Sequence, residues 1–395
     1  MSVDTTKFTE SGSPMPQVPT PTSMPEPAPT SGGGFLAGQF GLRRLAGKLR
    51  RRVKRAIKKP DNSPWVLDPP KRARTTYVDF VFCLDYLSPN SKLARVFHES
   101  FGAYGLSVLP VNKSNAESVT REIKREWLRP HVYLDLSSRP GDVYENLLNA
   151  AAAHGAYTIR RPEHTRWTLK AEAQSLLEQA GFPLPPSVIL KSGDPDRELT
   201  EEERARVGER CVIKPSFGEA AKGCVIGVEP TRENIAQARD YNRSYDWLVQ
   251  KMISWTNFGP RPAYIRSYNI CGHRTMMWWA RTKGVDAYDM LTWDDVERYD
   301  LLPAAEITTG IANLTGMDFF SSEIAILKAE PGPDRFCLID YINDQCDLDS
   351  EAHPNYSPNE WFMRFACERL AEFTYRKKYG LPEPKYRGLF LPEKR

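Results

Sequence analysis

The sequence predicts a small parallel-sheet α/β domain, then a larger α+β region built on antiparallel strands, with a basic arm that has no core in front of both. Three observations carry this. Between Tyr77 and Ile159, short β-rich runs alternate with helical stretches, the order that a parallel sheet requires. Beyond about residue 160 the alternation becomes irregular and apolar strand runs dominate. Residues 1–34 hold seven prolines between Pro14 and Pro29 and close on Gly32-Gly33-Gly34, so they bury too little apolar area to offset the entropy of ordering.

The arm continues with Leu42, Leu45, Leu49, Val53 and Ile57, spaced three or four apart, which predicts one apolar helical stripe among cations. Pro60 stops it. Ten Lys or Arg and no acid lie between Gly41 and Lys59; the whole chain carries +4, which leaves −6 for everything else. Basicity is therefore local, and it suits an anionic membrane surface or an acidic partner. Aromatic residues are sparse there, only Phe35 and Phe40 at one end, so no sequence-specific nucleic-acid binding is predicted.

In the α/β domain, YVDFVFCL, LSVLPV, HVYLDL and AYTI predict strands, and Lys92–Phe101, Ala116–Trp127 and Val143–Ala153 predict helices. No G-x-G-x-x-G follows the first strand, which argues against a dinucleotide fingerprint. In the larger region a helix is expected over Thr168–Gln179 and strands at CVIKPS, CVIGV, WLVQKMI, IRSYNICG, RTMMWWART, SEIAILKA and RFCLIDYIN. A final helix over Pro358–Tyr379 is apolar through Trp361, Phe365, Leu370 and Phe373. The expected division is 1–74, 75–160 and 161–395.

With 395 residues, 41% of them hydrophobic, the chain has material for a sizeable core. No run approaches the ~20 apolar residues of a membrane-spanning helix. Met1–Glu10 lacks the apolar stretch of a secretory signal, and the seven cysteines form no Cys-x-x-Cys pair. A reducing cytoplasm is the expected setting, with peripheral membrane attachment through the arm as a variant of it.

Four segments carry candidate chemistry. Lys170 stands near the start of a helix that exits through Gly181 and a Pro-rich turn. In CVIKPSFGEAAKGCVIGV, Lys214 is fixed in a strand before a loop with Gly218 and Gly223. An ammonium there would neutralise phosphate charge, while glycines let backbone N–H groups approach. The apolar strand YDWLVQKMI can offer adenine a backbone donor and acceptor at its end. In SSEIAILKAEPGPDRFCLIDYINDQCD, Glu323 on one strand and Asp340, Asn343 and Asp344 on the next supply hard oxygens of the kind Mg²⁺ takes. Singly, each has a plainer explanation: a surface lysine, an ordinary hairpin, a core strand or solvated acids. Their order along the chain joins them.

That order resembles the ATP-grasp superfamily over roughly residues 160–350, with 77–159 similar to the family's preceding domain. The resemblance implies an α/β N-terminal parallel-sheet domain followed by an α+β ATP-grasp fold. It implies an enzyme with ATP and Mg²⁺ as cofactors that activates a carboxylate as an acyl phosphate for attack by an amine or thiol. Lys170 and Lys214 would grip phosphates under the loop Phe217–Gly223. The backbone of Lys251 to Ile253 would hold adenine, with Gln250 where the family often has an acid. Asn257 would fall near the ribose, and Glu323, Asp340 and Asn343 would hold the metal. Arg266 and Arg281, on strands between the adenine and metal segments, are the candidates for stabilising the transferring phosphoryl group; Arg274 is a weaker one. His273 is expected in solvent.

Two departures stand out. The family commonly spaces its metal acid and asparagine as E/D-x-N, whereas Asp340-Tyr-Ile-Asn343 is one residue longer. A regular strand would turn those two side chains to opposite faces, so a bulge is required, or Asp344 shares the metal work. Glu219 and Lys222 also make the loop less glycine-rich than usual. Two other functions stay open: a small-molecule kinase on the same scaffold, and a non-catalytic nucleotide-binding adaptor with a membrane- or nucleic-acid-binding arm. The peptide or small-molecule carboxylate and amine are not named by any motif. Their pockets would draw on residues 84–90, 256–264 and 345–360. Oligomeric state is open, a homodimer being compatible with the chain.

Overall fold

The computed structural model describes residues 75–392, apart from residues 86, 89, 138–140, 195–196, 219–220, 258–263, 283–284, 333, 349–357 and 383–387 and the side chains of residues 281–287. The whole basic arm lies outside the described residues.

The first unit is a parallel sheet of β1 (Thr76–Cys83), β2 (Val108–Val111), β3 (Leu128–Asp135) and β4 (Tyr157–Thr158), in the order β2-β1-β3-β4. Its connections are α1 (Lys92–Gly102), α2 (Ala116–Lys124) and α3 (Val143–Ala153). Both faces of β1 are covered, which is why its sequence is a continuous apolar run rather than an alternating one. Phe80 and Phe82 pack on Phe97 of α1, with ring centroids 6.0 and 4.0 Å apart. Val81 and Cys83 face the opposite core with Val119, Ile123 and Leu147. Ser91 and Asp142 cap α1 and α3 through their side-chain oxygens.

Two boundaries differ from expectation by three residues. The helix predicted to Trp127 ends at Lys124, because Glu126 adopts a left-handed conformation (φ 60) and turns the chain early. As a result β3 begins at Leu128 and runs through Pro130, where β4 has not begun and β3 still has an open edge.

After a short helix α4 (Thr165–Thr168), α5 (Lys170–Gln179) leads into an antiparallel sheet ordered β5-β8-β6-β7: β5 (Ser187–Leu190), β6 (Cys211–Pro215), β7 (Val225–Val228) and β8 (Trp247–Lys251). Ile213, Trp247 and Val249 turn to one face, where Val207 of α6 (Glu201–Val207) and Ile235 of α7 (Arg232–Arg239) close a core.

The largest sheet is antiparallel and ordered β11-β10-β9-β12-β13: β9 (Tyr264–Ile270), β10 (His273–Thr282), β11 (Val285–Met290), β12 (Phe319–Ile326) and β13 (Phe336–Asn343). Ile265, Met276, Trp278 and Ile324 face α9 (Leu302–Thr315), which follows α8 (Trp293–Tyr299). On the other face Tyr268 meets Phe362 of the C-terminal helix α10 (Glu360–Lys378), centroids 4.2 Å apart. That helix also reaches the parallel sheet: Phe80, Phe82 and Phe97 belong to one apolar cluster with Tyr268, Phe362 and Leu370. Among the described residues no helix is long and apolar enough to cross a membrane, and no disulfide forms.

Candidate active site

The site begins with how two elements are stitched together. Ser216, immediately after β6, accepts the first helical amides of α5: Lys170 N–H donates to its carbonyl (2.8 Å) and Ala171 N–H to its hydroxyl (3.1 Å). A residue far away in sequence thus does the work of a helix cap. The consequence is positional, since Lys170 and Lys214 now stand on elements locked to each other. Ser216 was quoted within its motif, but nothing in the sequence assigned it this role.

Both lysines reach β13. Lys214, buried, donates from Nζ to the Ile339 carbonyl (3.0 Å) and sits 5.1 Å from the centre of the Tyr341 ring. Lys170 donates to the Gly218 carbonyl (3.2 Å) and lies 3.6 Å from Asp340 Oδ1. Burial pulls the Lys214 ammonium below the ordinary lysine range, with Asp340 opposing that and Lys170 adding to it. Burial alone would raise the Asp340 carboxyl. Lys170, Lys214 and Arg266 outweigh it and hold Asp340 below the usual carboxylate range.

The metal-binding candidates depend on register. Glu323 of β12 is paired with Asp340, and Ser321 with Asn343, so two steps along β12 match three along β13. The extra residue is a bulge, and it resolves the long Asp-x-x-Asn spacing. Directly paired residues share a face, as do residues two apart on one strand. Glu323, Ser321, Asp340 and Asn343 therefore line the same face, together with Arg266, which is paired with Glu323 across β9. Arg266 Nη1 donates to Glu323 Oε1 (2.8 Å) and Nε to Ser321 Oγ (3.2 Å). Asp344 points elsewhere: its Oδ2 lies 2.6 Å from Arg160 Nε, beside Asp135. Among the described residues no group of three or more His, Cys, Asp or Glu is gathered to hold a metal. Two facing carboxylates and an amide oxygen nonetheless fit Mg²⁺, which takes hard oxygens and completes its shell from water and phosphates.

At the end of β8 the strand pairing is one-sided. Ser187 is paired with Gln250, which places Pro186 opposite Lys251. Lys251 N–H donates to the Pro186 carbonyl (2.8 Å), but proline has no N–H to return. Met252 N–H is taken by the Arg210 carbonyl (3.0 Å). The Lys251 carbonyl, which Pro186 leaves without a strand donor, and the Ile253 amide are then the backbone groups that can meet a base edge. Gln250 shares a face with Lys214, because it is paired with Val212, two residues before it. Further on, Thr256 fixes its loop to the end of β12 through the carbonyls of Ile326 (2.9 Å) and Leu327 (3.0 Å), and Asn257 follows, exposed.

The glycine loop is shaped by its neighbours. At Gly223 (φ +74) a Cβ would come within 2.6 Å of the Tyr241 ring, so the position requires glycine. The loop's centre, including Glu219, lies outside the described residues. A cavity of about 250 Å³ opens beside the start of α5, lined by Leu169, Ala171, Glu172, Lys191 and Asp246, and it adjoins the Lys170–Lys214 pair through Ser216.

Three other candidates separate here. Arg281 lies in β10 opposite Asp286, with its side chain outside the described residues. Strand alternation puts Arg274 on the face opposite Arg266, since Arg266 is paired with Met277. The expectation that His273 is solvated fails: it is 5% exposed, packs edge-on against Phe390 (5.2 Å) and lies 3.8 Å from Glu372. Its turn is covered by the C-terminal segment, whose Leu389 bridges to Arg274.

No family model matches this sequence, and no curated protein does. Solved structures do. A RimK domain protein ATP-grasp from Sphaerobacter thermophilus is 16% identical over 74% of this chain and 98% of its own, with a TM-score of 0.51. The D-alanine–D-alanine ligase from Bacillus anthracis, complexed with ATP, is 11% identical over 76% and 99%, at 0.52. D-cycloserine synthetase DcsG is 14% identical over 75% and 99%, at 0.50. At these identities the likeness concerns the fold. The sheet that carries Lys214, the facing sheet that carries Glu323 and Asp340, and the parallel sheet before them make this chain an ATP-grasp fold.

Proposed function

We propose that this protein is a Mg²⁺- and ATP-dependent ligase that joins a carboxylate to an amine or thiol. One observation carries the reading: Lys170 and Lys214, on different elements, converge on Asp340, which stands opposite Glu323, while a bulge turns Asn343 to the same face. Three cations, counting Arg266, against two carboxylates leave a positive site suited to a polyphosphate.

In this reading the base meets the Lys251 carbonyl and the Ile253 amide, with Gln250 beside it and Asn257 toward the ribose. Lys170 and Lys214 bind the phosphates, and Gly218 and Gly223 let the loop approach them. Glu323, Asp340 and Asn343 would hold Mg²⁺, which would supply charge neutralisation to the phosphates when bound. A substrate carboxylate oxygen attacks the γ-phosphorus as the bond to the β-phosphate oxygen breaks and ADP leaves. Arg266, with Arg281, balances charge on the transferring group. The amine or thiol then attacks the acyl carbon, the acyl C–O bond breaks, phosphate departs and the surplus proton passes to solvent. The substrates are small molecules or a peptide.

The test is phosphate release from ATP by the full chain across a panel of carboxylates with and without amines, including hydroxylamine as a trap. A ligase gives ADP, phosphate and a hydroxamate only when a carboxylate is present. A stable phosphorylated alcohol would instead identify a kinase. We further assign the basic stretch 35–59 to attachment at an anionic membrane surface or acidic partner, supported by its ten cations without an acid. Sedimentation with phosphatidylserine vesicles should carry down the full chain and not one starting at Arg74.

A further inference from the structure

We propose that Tyr341 is a positioning residue that fixes the orientation of the Gln250 carboxamide and thereby makes the site select adenine over guanine; the inference rests on the nucleotide reading above. Tyr341 is the residue that follows Asp340 in the lengthened Asp-x-x-Asn segment, and it is 1% exposed. Its hydroxyl stands between two carboxamides, Gln174 of α5 and Gln250 of β8.

The polarity of this network can be worked out from one end. The Pro185 carbonyl can only accept. It takes hydrogens from the Ser187 hydroxyl (2.9 Å) and from Gln174 Nε2 (3.5 Å). With its nitrogen committed there, Gln174 turns its oxygen to Tyr341, so the Tyr341 hydroxyl donates to Gln174 Oε1. A phenol has a single hydrogen, and toward Gln250 it can therefore only accept. The Ser187 hydroxyl, already donating to Pro185, is in the same position. Gln250 Nε2 accordingly donates one hydrogen to Tyr341 (2.8 Å) and the other to Ser187 (3.2 Å). Both amide hydrogens are used inward, and what remains for a ligand is the carbonyl oxygen.

An acceptor at that position is complementary to the exocyclic amine of adenine and opposes the exocyclic carbonyl of guanine. A freely turning carboxamide would serve either base. Discrimination thus comes from the chain Pro185–Gln174–Tyr341–Gln250, which spans a turn, α5, β13 and β8. A glutamate would need no such support, since both its oxygens accept.

The experiment is calorimetric titration of the full-length protein with ATP and with GTP, each with Mg²⁺, for the wild type and three variants. Wild type should prefer ATP. Tyr341→Phe keeps the ring beneath Lys214 and releases the amide, so the ratio of the two Kd values should fall by roughly tenfold or more. Gln174→Met keeps Tyr341 but removes the acceptor for its hydrogen; the phenol then donates to Gln250, the amide turns over, and GTP should gain on ATP. Adding Gln250→Glu to Tyr341→Phe should restore the preference for ATP. A role confined to stability would weaken both nucleotides alike and leave the ratio unchanged in Tyr341→Phe and Gln174→Met, which would overturn the inference. If wild type binds neither nucleotide, the nucleotide reading itself fails and this inference with it. If one variant does not fold, the other still reports the ratio.

Discussion

The parallel sheet and the large antiparallel sheet share the cluster around α10, yet they carry different information. β1 has apolar helices on both sides, so Phe80 and Phe82 serve one core and Val81 and Cys83 the other. The antiparallel sheet gives one face to α9 and sets Arg266, Glu323, Asp340 and Asn343 on the other. A face that meets only apolar side chains tolerates any register that keeps its periodicity. A charged face does not: without one extra residue in β13, Asn343 would turn away from Asp340. Stability and chemistry are therefore separable, and substitutions should separate them.

The largest effect on stability is expected in the parallel unit. Phe97→Ala removes the ring against which Phe80 and Phe82 pack and should cost about 3–5 kcal/mol in denaturant unfolding. ATP affinity of the folded fraction should change by less than about twofold, because Phe97 is a core residue that packs on Phe80 and Phe82 and contributes no polar group to the charged face. Asp340→Asn should do the reverse, lowering ATP turnover by at least ~100-fold with the fold retained by circular dichroism.

The same variant tests the electrostatics. Asp340 has a folded-state pKa depressed by Lys170, Lys214 and Arg266. Its contribution to stability is therefore complete above the unfolded carboxyl value, about 3.9, and is lost as pH falls through the lower folded value. Unfolding midpoints of wild type should decline in that acid window, and Asp340→Asn should lack this part of the decline.

Ser216→Ala removes the hydroxyl that receives Ala171 N–H while sparing the backbone acceptor of Lys170 N–H. About 1 kcal/mol of stability should be lost, with a severalfold weaker Kd for ATP, because Lys170 and Lys214 are held together there. The smallest effect belongs to Lys378→Met, which removes the ion pair to Asp79 (2.8 Å) near the surface. About 0.2–1 kcal/mol is expected, shrinking at high salt, with turnover unaltered.

How much of this was legible in the sequence follows the same division. The run through Val78 to Cys83, the capped helices and the strands bearing Lys214, Glu323 and Asp340 announce themselves by apolar pattern and motif. The segment 285–315 does not. Within α9, Thr308 turns inward and bonds Ser267 (2.7 Å), Thr315 bonds the Ile311 carbonyl (2.8 Å), and Gly310 lets Phe182 approach, so polar and small residues occupy the buried side. The short helices α6 and α7 are mostly charged, and their few buried residues leave a faint period.

At the site, residue types indicated the lysines, the acids and the need for a bulge, but not the partnerships. Ser216 as a distant cap, Pro186 as the strand partner that cannot donate to the Lys251 carbonyl, and Tyr341 between two glutamines all depend on contacts across chain separations that no local pattern encodes. His273 was misread for a related cause: a Gly-His turn looks exposed until the C-terminal segment covers it.

The central claim is that Lys214, bridging β6 to β13, and Asp340 form a Mg²⁺-dependent ATP site. Its most direct test is calorimetric titration of the intact chain with ATP, with and without Mg²⁺, beside Lys214→Met. One ATP per chain, tighter with Mg²⁺ and weakened roughly 10–100-fold by the substitution, is the expected result. No ATP binding by the wild type, or equal binding by Lys214→Met, would contradict it.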